Sequence, residues 1–213
     1  MRAAKSVWAG ALAALLFGGC CLFRSSGPEG VTLRKDLLER NEYNLKYKYG
    51  PPMPKVDFIT IHNTWNDAPA VNERDYLNKR HDDVYISFHF AVDEKEAVQI
   101  LPLDVCGWHA GDGNGKGNRA SIGIEICRSR CVGKDEPLYR GAEENGVRLA
   151  AWLLNKYNLP LSALRKHQDW SGKYCPHRIL DEHRWESFKT RVGEAMLLLV
   201  QFWNSLVRTR AFG

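Results

Sequence analysis

Several features are missing from this 213-residue chain, and each absence narrows what it can be. No run of Lys or Arg stands out among its 30 basic and 25 acidic residues, so the +5 net charge is spread along the chain. This excludes a basic nucleic-acid arm and leaves a mild preference for an anionic partner. No internal repeat or low-complexity block occurs, which excludes a solenoid and a disordered tract. No apolar run is long enough to span a bilayer; the stretch Val7 to Phe17 falls short. Its apolar content of 44% suits one catalytic domain with appendages.

What is present begins with an export signal. Arg2 and Lys5 precede the apolar stretch, and Gly18-Gly19 stand before Cys20. This ending resembles the lipobox of bacterial lipoproteins, with Phe17 where Leu is usual, and it predicts lipidation at Cys20 and attachment to the cell envelope; plain secretion is the alternative. Cleavage there would remove Arg2 and Lys5 and with them part of the basic excess. The remaining cysteines are at 21, 106, 127, 131 and 175. An exported chain is free to pair some of them, and Cys127 with Cys131 is the pair nearest in sequence.

The boundaries expected are a signal over 1–20, a tether and N-terminal helix over 21–50, a catalytic domain over 51–192 and a helical extension over 193–213. Ser25-Ser26-Gly27-Pro28 reads as flexible tether, and Thr32 as the cap of a helix carrying Leu33, Leu37 and Leu38. Strands are expected over 56–62, 87–92, 97–101 and 121–127, and helices over 138–157 and 185–207. Asp104 to Arg119, rich in Gly and Asn, is loop in which a substrate groove could be built. Together these predict an α/β fold, a mixed sheet flanked by helices. The stripe Val192, Met196, Leu199, Trp203, Leu206 has helical spacing, suited to core packing or to a surface-docked helix.

The chemistry concentrates in His167-Gln-Asp-Trp-Ser-Gly-Lys-Tyr-Cys-Pro, residues 167–176. Imidazole and thiolate are both good Zn2+ ligands, and two joined by a short loop can bite one ion. His62, at the end of Ile-Thr-Ile-His-Asn-Thr, is a natural third ligand from a distant strand end. Any one of these histidines alone would more often be a packed or surface residue.

Five segments in order resemble the zinc-dependent N-acetylmuramoyl-L-alanine amidases, the family that includes peptidoglycan recognition proteins, autolysins and prophage endolysins. They are Ile59–Thr64, Ser87–Phe90, Trp108–Gly111, Asn118–Glu125 and His167–Pro176. The resemblance covers about residues 56–192 and implies that fold, a peptidoglycan or muropeptide substrate, and Zn2+ on His62, His167 and Cys175. It implies Glu125 as general base, Lys173 beside the developing oxyanion, and Trp108 and His109 in the substrate groove, with Asn63 and Asn118 as hydrogen-bonding partners there. A carboxylate beside an activated water is also what the bare chemistry asks for. Many members have tyrosine where this chain has Phe88, which cannot donate that hydrogen bond. His89, between two phenylalanines, is either a satisfied buried histidine or a ligand contact, and His81, His177 and His183 have no special case. Two other classes stay in view: a peptidoglycan-binding module without turnover, and a thiol hydrolase pairing Cys175 with His167.

Overall fold

A computed structural model describes residues 27–211, with side chains up to residue 199. In chain order the elements are β1 (Thr32–Lys35), α1 (Glu42–Tyr47), β2 (Phe58–Asn63), α2 (Ala70–Lys79), β3 (Phe90–Val92), β4 (Glu96–Gln99), α3 (Lys116–Arg119), β5 (Ser121–Ile126), α4 (Glu136–Lys156), β6 (Leu164–Lys166), α5 (Gln168–Ser171), α6 (His177–Asp181) and α7 (Trp185–Ala211). One six-stranded sheet has the order β1-β4-β3-β5-β2-β6. Strands β3, β5, β2 and β6 run parallel; β4 runs against β3, and β1 runs with β4.

The two central strands explain where the site sits. Successive side chains of a strand point to opposite faces. In β2, Ile59 and Ile61 enter the core cluster shared with α4, and in β5 Ile122, Ile124 and Ile126 do the same. The alternate positions Thr60 and His62, with Ser121, Gly123 and Glu125, therefore occupy the other face, and the register sets His62 directly against Glu125. Thr60 and Ser121 join hydroxyls at 2.5 Å beneath them. The α4 backbone approaches the apolar face so closely that a Cβ on Gly146 would meet Ile126 Cδ1 at 2.9 Å. On the opposite face Leu77, Ala91, Val98 and Leu101 form a second cluster.

The mixed sheet agrees with the expected class, and the four expected strands and two long helices are present with shifted ends. The N-terminal region differs. Thr32–Lys35 is an edge strand and not the start of a helix, because β4 offers an unpaired edge and Arg34 pairs with Glu96 at 3.1 Å. The first helix begins instead at Asn41, whose side chain accepts from the Asn44 N–H at 2.8 Å. Val31, Leu38 and Tyr49 are buried, so the fold includes residues assigned to the tether. At the other end α7 runs unbroken through 192/193, with Val192 buried and Met196 and Leu199 packed on the core. Trp203 and Leu206 lie outside the described side chains. No helix among the described residues is long and apolar enough to cross a membrane.

Cys106, Cys127, Cys131 and Cys175 are buried free thiols. The Cys127–Cys131 bridge does not form, since Cys127 belongs to the cluster on one side of the sheet and Cys131 to the cluster on the other. Cys20 and Cys21 lie outside the described residues.

Candidate active site

His62, His167 and Cys175 converge from three elements. His167 follows β6, with its N–H on the Ile61 carbonyl at 3.3 Å. The turn that follows is α5, closed by Gly172 at φ +76°, a left-handed position that suits glycine. The Gln168 N–H then reaches the Cys175 carbonyl at 3.1 Å. Trp170 donates its indole N–H to Thr60 at 3.0 Å and fastens α5 to β2. His62 Nδ1 thereby lies 2.9 Å from His167 Nδ1 and 3.8 Å from Cys175 Sγ. All three donor atoms fall within 4.8 Å of one another and all three residues are buried. Tetrahedral zinc with bonds of about 2.0 to 2.3 Å needs ligand atoms roughly 3.3 to 3.7 Å apart; the separations here, from 2.9 Å to no more than 4.8 Å, bracket that spacing, and two imidazoles with a thiolate are donors that zinc takes.

Hydrogen bonds determine which nitrogen of His62 faces this cage. His109 Nε2 lies 3.2 Å from the Ser121 carbonyl, which can only accept, so that nitrogen carries the proton. His109 Nδ1 is left as an acceptor 3.1 Å from His62 Nε2. His62 thus donates from Nε2 and keeps the lone pair of Nδ1 for the cage. Burial and the neighbouring His109 and His167 hold its pKa well below the ordinary 6.5. Burial also lowers His109 to about 3 and His167 to about 4, and neutral imidazoles are what a cation requires.

Glu125 Oε1 stands 3.9 Å from His62 Nδ1. Its Oε2 is buried with no hydrogen-bond partner, an acceptor aimed at something the protein itself does not supply. Burial, reinforced by Glu73 and opposed by Lys173, pushes this carboxyl up to about 8. Lys173 is exposed on the groove wall, its charge acting on His62, His167 and Glu125.

These residues form the floor of an open groove of 670 Å³. Asn63, Trp108, His109 and Asn118 also line it. Asn118 takes the N–H groups of His109 and Ala110, each at 2.8 Å, and donates to the Gly113 carbonyl at 2.9 Å. Asn63 accepts the Arg178 N–H at 3.2 Å and ties β2 to α6. Both amides are thus engaged in shaping the groove. Trp108 Nε1 is buried without an acceptor. Phe88 lines the groove without a hydroxyl. His89 is the satisfied buried histidine, accepting from the Gly123 N–H at 3.0 Å and donating to the Val105 carbonyl at 2.9 Å.

The groove also contains residues that the sequence patterns did not single out: Trp65, Val84, Tyr85, Tyr174 and His177. Trp65 had one usable signal, its place two residues beyond the end of the strand that carries His62.

The profile of the Amidase_2 family, described as N-acetylmuramoyl-L-alanine amidase, matches residues 52–178. N-acetylmuramoyl-L-alanine amidase CwlA of Bacillus subtilis (strain 168) is 46% identical over 76% of this chain and 57% of its own length. XlyB of the same organism is 47% identical over 78% of this chain and 50% of its own length. The chain therefore spans about half the length of the curated relatives it matches. The solved structure of PlyL superposes with a TM-score of 0.69 at 45% identity, covering 76% of this chain and 97% of that one. The matched span includes the three converging donors, Glu125 opposite His62 and the groove around them, and this chain belongs to the N-acetylmuramoyl-L-alanine amidase family.

Proposed function

We propose that this chain hydrolyses the amide between the lactyl group of N-acetylmuramic acid and L-alanine in peptidoglycan, with Zn2+ on His62, His167 and Cys175. The observation that carries this reading is the buried three-donor cage at the floor of an open groove, with the unpartnered oxygen of Glu125 beside it. When bound, zinc would polarise the scissile carbonyl and make an attacking water more acidic. Glu125 takes the proton of that water and passes it to the leaving nitrogen of L-alanine. The upward push of burial suits the protonated form to donate to the leaving nitrogen, and the positive charge of bound zinc would favour the carboxylate form that accepts the water's proton. The Lys173 ammonium faces the negative charge that develops on the carbonyl oxygen. His109 and the Ser121 carbonyl hold His62 in the tautomer described above.

The thiol-hydrolase alternative is disfavoured at Cys175, where burial and the adjacent Glu125 push the thiol up to about 12. An activated cysteine nucleophile needs the opposite shift without a metal, whereas bound zinc would itself supply the positive charge that favours the ligating thiolate.

The test is incubation of the zinc-loaded protein with purified peptidoglycan, counting new amino termini and new reducing ends with and without chelator. New L-alanine amino termini, no new reducing ends, and activity lost to chelator and restored by zinc are expected. Sedimentation with the wall and no release would establish a binding module instead.

The same proposal places the enzyme outside the cytoplasm on a lipid anchor at Cys20, supported by the leader and the Gly19-Cys20 junction. Palmitate labelling of whole cells checks it: Cys20→Ala should abolish incorporation, and equal labelling of that variant would overturn the anchor.

A further inference from the structure

Trp65 is an expensive residue to leave where it is. It is 65% exposed on the rim of the groove, a large apolar surface facing water. Its backbone is nonetheless held firmly. The Thr64 N–H bonds to the Ile126 carbonyl at 3.1 Å, Ser129 donates its hydroxyl to the Thr64 carbonyl, and the Arg130 N–H bonds to the Asn66 carbonyl at 3.0 Å. The indole is backed by the His177 ring, centroids 3.9 Å apart, and flanked by the Arg130 guanidinium 5.4 Å from its centroid. His177 is itself buried, and its Nε2 has no hydrogen-bond partner. The result is a preorganised aromatic plate that starts three residues from the metal ligand His62.

The substrate class proposed above offers two kinds of surface. Its stem peptide begins with the single methyl of alanine, whereas its pyranose rings present flat C–H faces bordered by hydroxyl and amide groups. An indole with polar groups at its margin suits the second, because apolar C–H area meets the ring while the polar edge stays hydrated or finds donors. We infer that Trp65, backed by His177, is a stacking platform for an N-acetylhexosamine ring of the glycan and sets a preference for sugar-bearing over sugar-free substrates. This rests on the amidase reading for the identity of the substrate, and on the geometry for the platform.

The experiment compares two probes with the same scissile amide. One is an N-acetylmuramoyl-peptide; the other is the same peptide carrying only a D-lactoyl group in place of the sugar. In Trp65→Ala the ratio of kcat/KM between the two should fall roughly 2- to 10-fold, as expected for loss of one aromatic contact, with the change in KM. Trp65→Phe, which keeps a ring, should recover part of that ratio. An unchanged ratio, including an equal loss on both probes, would overturn the inference. A second readout does not need turnover: the indole N–H resonance of Trp65, assigned by its absence in Trp65→Phe, should shift on adding a peptide-free N-acetylglucosaminyl-N-acetylmuramic acid disaccharide. No shift overturns the platform. A shift in a protein that cuts neither probe would retain the platform and overturn the hydrolytic reading.

Discussion

At the scale of single residues, the site is an arrangement of proton positions as much as of atoms. Among the described residues, Glu125 is the carboxylate that lines the groove beside the cage, and Phe88 supplies no hydroxyl to share its task. Glu125→Gln should therefore lower kcat by about 10²- to 10⁴-fold while zinc content, measured by elemental analysis, stays at one per chain. Phe88→Tyr should change kcat far less. His109 acts one bond further out. His109→Phe fills the same space against Gly123 but removes the acceptor for His62 Nε2, so zinc affinity in a chelator competition should drop roughly 10- to 100-fold. Much of this was legible in the sequence. The alternation in Ile-Thr-Ile-His and Ser-Ile-Gly-Ile-Glu already assigns the isoleucines to one face and His62 with Glu125 to the other. The hydrogen-bonded chain from Ser121 through His109 to His62 was not, because it joins residues whose separation in sequence says nothing about which ring nitrogen meets which.

At the scale of elements, the long helices are joined by buried charge as well as by apolar packing. Glu143 of α4 is 1% exposed and pairs with Arg184 and with Arg191 of α7. Burial alone would raise its pKa; Arg184 and Arg191 outweigh that and hold it below the ordinary 4.5. Near the start of α7, Arg140, Arg178 and Arg184 overcome burial and hold Glu182 at about 2. Both carboxyls titrate lower in the folded chain than in the unfolded one. Their stabilisation is thus complete above about pH 4.5 and is withdrawn as the pH falls through 4.5 toward 2. Urea midpoints measured between pH 7 and pH 3 should decline over that window. In Glu143→Ala, Arg184 and Arg191 each lose one carboxylate partner and keep another, Glu182 and Glu144, so stability at pH 7 should fall by about 1.5 to 3 kcal/mol and the acid decline should flatten. The two helices were legible from their periodicity, but Glu143 looks in sequence like any solvent-facing position of α4.

At the scale of the whole molecule, the sheet is finished by residues that the sequence presents as a lead-in. Leu33, Leu37 and Leu38 fit a helical face as well as they fit a strand and its extension; what decides between them is the open edge of β4, which lies more than sixty residues away and is invisible locally. A chain beginning at residue 51 would lose β1 and the buried Val31, Leu38 and Tyr49, and would expose that edge. It should melt at a lower temperature than a chain beginning at residue 27 and show concentration-dependent aggregation by light scattering. A melting temperature equal to that of the longer chain would mean that β1 is dispensable.

The direction of β1 has a consequence for how the protein is oriented on a surface. Thr32 stands opposite Glu96, Ala97 opposite Val92, and Val92 opposite Ile126, which in turn stands opposite Asn63. The chain therefore enters the sheet at the same end as the one from which His62 and Glu125 project, about 20 Å away across four strand spacings. The seven residue steps from Cys20 to Gly27, where the described fold begins, can span at most roughly 25 Å. A lipid at Cys20 would act as a short leash tied at the working end, so that the groove stays close to the bilayer and the reach inward is shorter than the reach of the opposite pole outward. Substrate selection would then depend on height above the membrane, with newly laid glycan within range and older, outer layers beyond it.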